Sequence, residues 1–125
     1  MDWGEIEAGP ALDRAVAEQI GWHVRRIVPG RQVRYQLIRP DGELEGTFNA
    51  EQDAWLEVPS YSTNLKAALG LVEGSEGEFL LRRAADGGWW AEIGTTALEA
   101  ATRSAAEAIA RAWLASRAAG DSGGG

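Results

Sequence analysis

Val58-Pro59-Ser60-Tyr61-Ser62-Thr63-Asn64-Leu65 is the most informative part of this 125-residue chain for its architecture. Pro59 fixes its own backbone angle and separates the two residues after it from the segment before. A hydroxyl of Ser62 or Thr63 can accept a hydrogen bond from a free N–H in the first turn of a helix. These residues therefore predict a turn that leads into a capped helix.

Three segments carry apolar residues at helical spacing. The first starts at Pro10, which fits the first position of a helix, and stops at Gly21. The second runs from Thr63 to Glu73 and ends at Gly74, and the third is an alanine-rich segment near the C-terminus. The predicted buried stripes are Leu12, Ala15, Val16 and Ile20 in the first, Leu65, Ala68, Leu69 and Val72 in the second, and Ala105, Ala108, Ile109, Ala112 and Trp113 in the third.

Five segments are rich in β-branched and aromatic residues and are separated by turn signals. Pro29-Gly30 and Pro40-Asp41-Gly42 separate the first three, which predicts an antiparallel meander. Asp86-Gly87-Gly88 joins the last two in a hairpin. Residues 49–61 are predicted as a connecting loop that contains a short turn or strand. The five segments are Trp22 to Val28, Gln32 to Arg39, Glu43 to Phe48, Phe79 to Leu81 and Trp89 to Ile93.

Five short motifs, taken in order, resemble the phage ABA sandwich domain family. The resemblance covers residues 9–118, and it implies a small viral protein of bacteriophage or prophage origin, with helices on the faces of a sheet and no catalytic motif to transfer. Two departures are present: Asn64 stands where the family commonly has an acidic residue, and residues 95–103 do not align cleanly. The motifs are Gly9-Pro10-Ala11-Leu12-Asp13, Ile20-Gly21-Trp22, Pro59 to Asn64, Gly88-Trp89-Trp90 and Ala106 to Ala112.

Two structures are open for the residues before the last helix. Thr96-x-x-Glu99 and Ser104-x-x-Glu107 both have the pattern of a capping box. Alanine-rich composition favours one helix over residues 97–117. The resemblance implies instead a short strand at residues 98–101, paired with the strand that begins at Trp89, before a helix that starts at Ser104. We favour the second structure.

The predicted fold is α+β, with a single domain in which three helices lie on the faces of an antiparallel sheet, as an α-β-α sandwich. Trp89 and Trp90 are neighbours on one strand, so their side chains point to opposite faces, and we expect an apolar cover on both faces. Residues 1–8 are predicted as an N-terminal arm, 9–118 as the domain and 119–125 as a disordered tail. The sheet is expected to contain the segments near Trp22, Val33, Glu43, Phe79 and Trp89.

The composition excludes several classes of function. The absence of cysteine removes disulfides, thiol catalysis and thiolate metal sites, and a single histidine, His23, argues against zinc. No nucleophile or orienting group accompanies His23 at a recognisable spacing, so no catalytic residue, metal or cofactor is predicted. The formal net charge of -7 argues against binding duplex nucleic acid. Nothing in the sequence resembles a membrane span or a signal peptide, which predicts no membrane partner and a location in the cytoplasm of the host cell.

Charge is distributed unevenly along the sequence. Six carboxylates and no basic residue lie between Pro40 and Leu65, whereas five arginines precede that segment. This could place a basic face beside an acidic one. The simpler alternative, which the sequence favours, is that adjacent strands pair opposite charges. The carboxylates are Asp41, Glu43, Glu45, Glu51, Asp53 and Glu57, and the arginines are Arg25, Arg26, Arg31, Arg34 and Arg39.

The candidate binding residues combine indoles, guanidinium groups and a helix N-terminus. An indole can stack on a planar base, while arginine and the free N–H groups at a helix start can hold phosphates. Six tryptophans are many for this length, although most are expected to fill the core or its margins. The predicted ligand-binding residues are Trp55, Tyr61, Ser62, Thr63, Arg82, Arg83, Trp89 and Trp90.

Two functional hypotheses follow from these observations. The first is a non-enzymatic phage accessory protein that binds a small ligand, such as a nucleotide signal of host defence, and so acts against that defence. The alternative is a protein-interaction module that inhibits a host protein through the acidic segment; an enzyme is the least supported class. A homo-oligomer is also expected, because an alanine-rich helix permits close approach. Convergent Arg, Ser and Trp side chains would favour the ligand, and an open acidic face with an aromatic would favour a protein partner.

Overall fold

The computed structural model describes residues 7–74, 78–98 and 101–123, with the side chains of the last helix described as far as residue 118. The predicted α+β class and the single domain are confirmed. The helices are α1 (Pro10–Ile20), α2 (Glu51–Trp55), α3 (Leu65–Glu73) and α4 (Ala105–Gly123). The strands are β1 (His23–Ile27), β2 (Arg34–Ile38), β3 (Leu44–Phe48), β4 (Phe79–Arg83), β5 (Trp89–Ile93) and β6 (Thr96–Ala97).

The strands form two separate antiparallel sheets rather than the one predicted sheet. The first has the order β1-β2-β3 and the second the order β4-β5-β6. All pairings in both sheets are antiparallel, as predicted. β5 cannot extend the first sheet because both of its edges are occupied, one by β4 and the other by β6 and Thr102. The prediction of a single sheet was therefore wrong.

Helix α1 has the predicted bounds and the predicted end. Pro10 occupies its first turn, and Leu12, Ala15 and Val16 are buried. Gly21 ends the helix with φ 123°, a left-handed backbone that glycine adopts without strain. The N–H groups of Gly21 and Trp22 both bond to the Ala17 carbonyl, at 3.1 and 3.0 Å. The chain is thereby turned from α1 directly into β1.

Helix α4 is the centre of the domain. It packs against α1, α3 and the second sheet, and it is buried around most of its circumference, as expected for a helix that is apolar on nearly all sides. Its end lies at Gly123, so it continues into the residues predicted as a tail. The buried residues are Ala106, Ala108, Ile109, Ala110, Ala112, Trp113 and Leu114.

Helix α2 lies within the segment predicted as a loop with a short turn or strand, so that prediction was wrong. The helix has only five residues, too few to show a helical period in the sequence. It is held by the burial of Ala54 and Trp55, and it packs against the three strands of the first sheet. Tertiary packing therefore determines the conformation here.

Helix α3 begins two residues later than predicted and has a different cap. The Asn64 side chain accepts a hydrogen bond from the Ala67 N–H at 3.2 Å, so neither Ser62 nor Thr63 is the N-cap. The predicted stripe is also only partly correct. Ala68 is buried as expected, but Leu71 is the other buried residue, while Leu65 and Leu69 are 46% and 38% exposed.

The described residues of the segment before α4, 96–98 and 101–104, fit the second of the two structures left open by the sequence. β6 pairs with β5, Trp89 and Thr102 form an isolated bridge, and α4 starts only after Ser104. The Ser104 hydroxyl accepts the Glu107 N–H at 3.1 Å, which is half of the predicted capping box. The described strand lies at residues 96–97, whereas residues 99 and 100 of the predicted strand at 98–101 lie outside the described part of the chain.

Candidate functional site

Two of the predicted binding residues, Tyr61 and Ser62, lie in the core. Ser62 is fully buried, and both its N–H and its hydroxyl donate to the Asp13 carboxylate, each at 2.7 Å. The same hydroxyl oxygen accepts the Gly9 N–H at 2.8 Å. The Ser62 side chain therefore joins the start of α1 to the segment before α3 and leaves Thr63 as the exposed hydroxyl of the pair.

Trp55 is also a core residue, at the end of α2. Its side chain is buried, and the Arg14 guanidinium lies over its ring, with 4.7 Å between Cζ and the ring centroid. The indole Nε1 has no hydrogen-bond partner among the described residues. With Arg14 over one face and the core around the rest, this ring is packed within the protein.

The hairpin β4–β5 carries the other predicted binding residues, and the structure brings them together as two separate pairs. Arg83 lies 5.9 Å from the ring centroid of Trp89, and Arg82 lies 4.5 Å from that of Trp90. Because cross-strand partners share a face, the two pairs lie on opposite faces of the second sheet. Trp89 packs against the core.

Trp90 lies on the face of the second sheet that points away from the core, together with Leu80 and Glu92. No helix covers this face in the described part of the chain, because α3 and α4 pack on the other side, so the expected apolar cover on both faces was wrong. The Trp90 indole is half-buried, and its Nε1 donates to the Leu98 carbonyl at 2.7 Å. The Arg82 guanidinium group lies over one face of this ring.

A different site is formed at one end of the first sheet, and we call it the acidic cleft. It is an open depression of about 480 Å³. It is lined by one aromatic ring, three carboxylates, one guanidinium group and two prolines. The lining residues are Trp22, Arg39, Pro40, Asp41, Glu45, Glu57 and Pro59.

The backbone of two adjacent strand ends positions this cleft. Trp22 immediately precedes β1, and Arg39 immediately follows β2, at the end where His23 pairs with Ile38. The turn after Arg39 is closed by a Gly42 N–H to Arg39 carbonyl bond of 2.9 Å. A Cβ on Gly21 would lie 3.5 Å from Pro40, an ordinary van der Waals contact, so it is the positive φ at the helix end that requires glycine here.

The acidic cleft carries a surplus of negative charge. Arg39 is bonded to Glu45, and this hydrogen bond, with the charge of Glu45, raises the pKa of Arg39 above its ordinary value. Neither Asp41 nor Glu57 forms an ion pair within the described residues. With three carboxylates and one guanidinium group, the lining has a formal charge of -2.

Trp22 is partly buried and packs against the core. It lies beside Tyr61, which is itself buried. Burial raises the pKa of Tyr61 because the phenolate would lose its hydration, and the neighbouring Trp22 works in the opposite direction. Tyr61, one of the predicted binding residues, is thus a core residue next to the ring that lines the cleft.

The simpler interpretation of the sequence, that adjacent strands pair opposite charges, applies to only one of the five arginines before the acidic segment within the described residues. Arg25 donates to the Gln36 side chain, through Nε at 3.1 Å and also through Nη2. Within the described ranges, Arg39 is the only one of these arginines that forms an ion pair with a carboxylate on a neighbouring strand, Glu45.

Trp22 and the carboxylates of the cleft are absent from the eight predicted binding residues, although the sequence held two signals for them. Trp22 belongs to the Ile20-Gly21-Trp22 junction, and Asp41, Glu45 and Glu57 belong to the acidic segment. Nothing in the sequence shows that residues 22, 39–45 and 57–59 come together, because this depends on α2 crossing the first sheet.

Comparison with family models, with curated proteins and with solved structures finds no match to this chain. The resemblance to the phage ABA sandwich domain therefore stays a prediction. Within the described residues, no helix has the length and apolar character needed to cross a membrane. In the same residues no group of three or more His, Cys, Asp or Glu side chains is placed to hold a metal ion.

Proposed function

We propose that this protein is a non-enzymatic interaction module whose acidic cleft receives an arginine or lysine side chain of a partner protein. The observation that carries the proposal is an open depression with an aromatic wall and two carboxylates, Asp41 and Glu57, that are left without an ion pair in the described part of the chain. Of the two hypotheses drawn from the sequence, the geometry supports the interaction module best.

The chemistry of the cleft suits a cation with a planar or apolar surface. A guanidinium group over the face of Trp22 would gain a cation–π contact, and Asp41 and Glu57 would supply charge-assisted hydrogen bonds. Arg39 forms its ion pair with Glu45 and with neither of these two carboxylates. A buried arginine anchor beside an aromatic is also the type of contact on which binding energy concentrates at protein interfaces.

The resemblance to phage proteins supports a host protein as the partner and inhibition as the result, which would make this an anti-defence protein of the host cytoplasm. The absence of cysteine is compatible with a reducing compartment. Both statements belong to the proposal and rest on the family resemblance and the composition.

A tetra-arginine peptide, with both ends blocked, tests the cleft directly. We expect it to bind the full chain in isothermal titration calorimetry at low salt, and to bind weakly at high salt because exposed charges are screened. Glu57→Gln should weaken this binding by roughly tenfold, the loss of one charge-assisted contact. Glu73→Gln is the matched control, since it removes an exposed carboxylate of α3 outside the cleft. Equal binding by both variants would exclude the cleft as the site.

A small planar ligand remains a second candidate function, favoured by one observation. Arg82 lies over Trp90 on a sheet face that no helix covers in the described residues. A nucleotide base could replace the guanidinium group on the ring, and the displaced Arg82 could then hold the phosphates. Native mass spectrometry with a panel of cyclic and ADP-ribose-type nucleotides would detect such binding.

A further inference from the structure

The hairpin formed by β1 and β2 is strongly basic in an acidic protein. From Gln19 to Pro40 the sequence contains five arginines and no carboxylate, although the whole chain has a formal net charge of -7. Arg39 lies at the cleft and is paired with Glu45. We call the other four residues, Arg25, Arg26, Arg31 and Arg34, the arginine hairpin.

The charges of the arginine hairpin are held in place without being neutralised. Arg25 is bonded to the Gln36 side chain, and Arg34 donates through Nη2 to the Gln32 side chain at 3.0 Å. Both acceptors are uncharged amides. Arg26 and Arg31 are exposed, and no carboxylate forms an ion pair with any of the four among the described residues. The hairpin therefore presents up to four positive charges to solvent.

Arg26, Arg31 and Arg34 of the arginine hairpin lie toward the end of the first sheet opposite the acidic cleft, whereas Arg25 lies midway along β1. Ile27 pairs with Arg34 at the hairpin end, and His23 pairs with Ile38 at the cleft end. The four residue steps between these pairs span roughly 13 Å along the strand. This exceeds the Debye length of about 8 Å at physiological ionic strength, so the two ends act as separate poles of opposite sign.

We propose that the arginine hairpin of one copy of this chain docks in the acidic cleft of a second copy. The inference rests on the proposed function of the cleft and identifies one partner for it. The occupant is argued from charge complementarity: the hairpin offers guanidinium groups without carboxylate partners, and the cleft offers carboxylates and the Trp22 ring without a cation of their own beyond Arg39. Arg31, in the turn between the strands, is the exposed side chain best placed to enter.

The contact would be head-to-tail, because the two surfaces differ and lie at opposite ends of one sheet. A heterologous contact of this kind leaves one free pole at each end and so builds rings or open chains of subunits. Nucleic acid is a poorer occupant of the hairpin, because the remaining surface of an acidic protein would repel a long polyanion. The proposed self-association is thus electrostatic. It does not use the alanine face of α4, because those alanines are buried within the subunit.

Two double variants of the full chain test the arginine hairpin and the acidic cleft separately. Arg26→Gln with Arg31→Gln removes charge from the hairpin, and Glu43→Gln with Glu57→Gln removes charge from the cleft end. All four side chains are exposed, and circular dichroism checks that the fold is kept. In sedimentation velocity, the wild type should associate beyond the dimer as its concentration rises, and high salt should reverse this. Each variant alone should associate at least roughly tenfold more weakly.

Mixing the two variants gives the decisive measurement. Each retains one intact pole, so the mixture should form a one-to-one dimer that does not grow with concentration. Lys66→Gln and Glu73→Gln, combined in one chain, are the control for the loss of exposed charges elsewhere, on α3, and should associate like the wild type. A wild type that stays monomeric at high micromolar concentration would overturn the proposal, and so would a mixture that associates no better than the separate variants.

The same set distinguishes failure of this inference from failure of the proposed function. One outcome is that the tetra-arginine peptide binds the hairpin variant, that Glu57→Gln weakens peptide binding, and that the wild type remains monomeric. The cleft is then a binding site, and a second copy is not its partner. If association is strong but neither pair of substitutions weakens it, the copies meet through another surface and the head-to-tail contact is wrong.

Discussion

The Asp13 carboxylate accepts two hydrogen bonds from Ser62, one from its N–H and one from its hydroxyl, each 2.7 Å long and each joining positions 49 apart in sequence. Both residues are buried. The contact fastens α1 to the segment that precedes α3. Tyr61, the neighbour of Ser62, is also buried, and it lies beside Trp22, which lines the acidic cleft.

Replacing Ser62 by alanine should destabilise the protein by about 1.5–3 kcal/mol, because the buried Asp13 carboxylate would lose a charge-assisted hydrogen bond and keep its desolvation cost. The loss of the Gly9 contact adds to this effect. Thr63→Ala, at an exposed hydroxyl, is the matched control and should change the free energy of unfolding by less than about 0.5 kcal/mol. Urea denaturation followed by circular dichroism measures both. Equal losses would show that Ser62 has no special role.

The N-cap of α3 gives a separate prediction at Asn64. Asn64→Ala should destabilise the protein by about 1 kcal/mol because the Ala67 N–H loses its acceptor. Asn64→Asp keeps a side-chain oxygen at that position and adds a negative charge at a helix start, so the denaturation midpoint should be unchanged or slightly raised. If alanine and aspartate gave the same midpoint, the cap would contribute nothing measurable.

Because Tyr61 is buried, the free energy of unfolding should depend on pH in the alkaline range. The pKa of Tyr61 is raised above its ordinary value of 10.0, so the folded state favours the neutral phenol. The resulting stabilisation is fully present below the pKa of an unfolded tyrosine, about 10, and is lost as pH rises through the higher pKa of the folded state. The free energy of unfolding should therefore fall more steeply above pH 10 in the wild type than in Tyr61→Phe.

Denaturation midpoints measured in steps from neutral to strongly alkaline pH test this expectation. Tyr35→Phe is the comparison, because Tyr35 is the other of the two tyrosines. A Tyr61→Phe variant with the same alkaline profile as the wild type would contradict the inferred desolvation of the phenol.

The sequence predicted the elements of this fold better than their assembly. Proline and glycine signals placed α1, the meander and the β4–β5 hairpin correctly, since these residues act locally through the backbone. The sequence-based prediction was wrong at α2, where the burial of Trp55 holds five residues in a helix. It was also wrong at Ser62, whose hydroxyl bonds to a residue 49 positions away rather than to the helix beside it. The division into two sheets depends on which edge of β5 is covered, and no local pattern encodes that choice.

The candidate site shows the same limit. The acidic segment and the arginine-rich segment were visible in the sequence, but whether they neutralise one another depends on strand register. The register places Gln36 beside Arg25, and no carboxylate stands opposite in that pair. Likewise, Trp22 becomes a wall of a cleft only in the folded chain, where it lies near Pro40, Glu57 and the other lining residues. Charge separation in this protein is thus a product of the fold.

Trp89 and Trp90 give the last prediction, because the structure now assigns each indole to one face. Trp89 packs against the core, so Trp89→Ala should destabilise the protein by about 3 kcal/mol, near the lower end for removal of a tryptophan from a core. Trp90→Ala should cost less, about 1 kcal/mol, for the loss of its bond to Leu98 and its contact with Arg82.

Ligand binding should depend on the Trp90 ring and not on the Trp89 indole. For any nucleotide found by native mass spectrometry, Trp90→Ala should abolish binding with the fold intact, because the stacking surface is lost. Trp89→Phe, which keeps an aromatic ring in the core, should retain binding. Arg82→Ala should weaken binding most at low salt, since contacts to phosphate are screened as ionic strength rises. Binding that survives Trp90→Ala would remove the ligand from this face and leave the acidic cleft as the site to test for it.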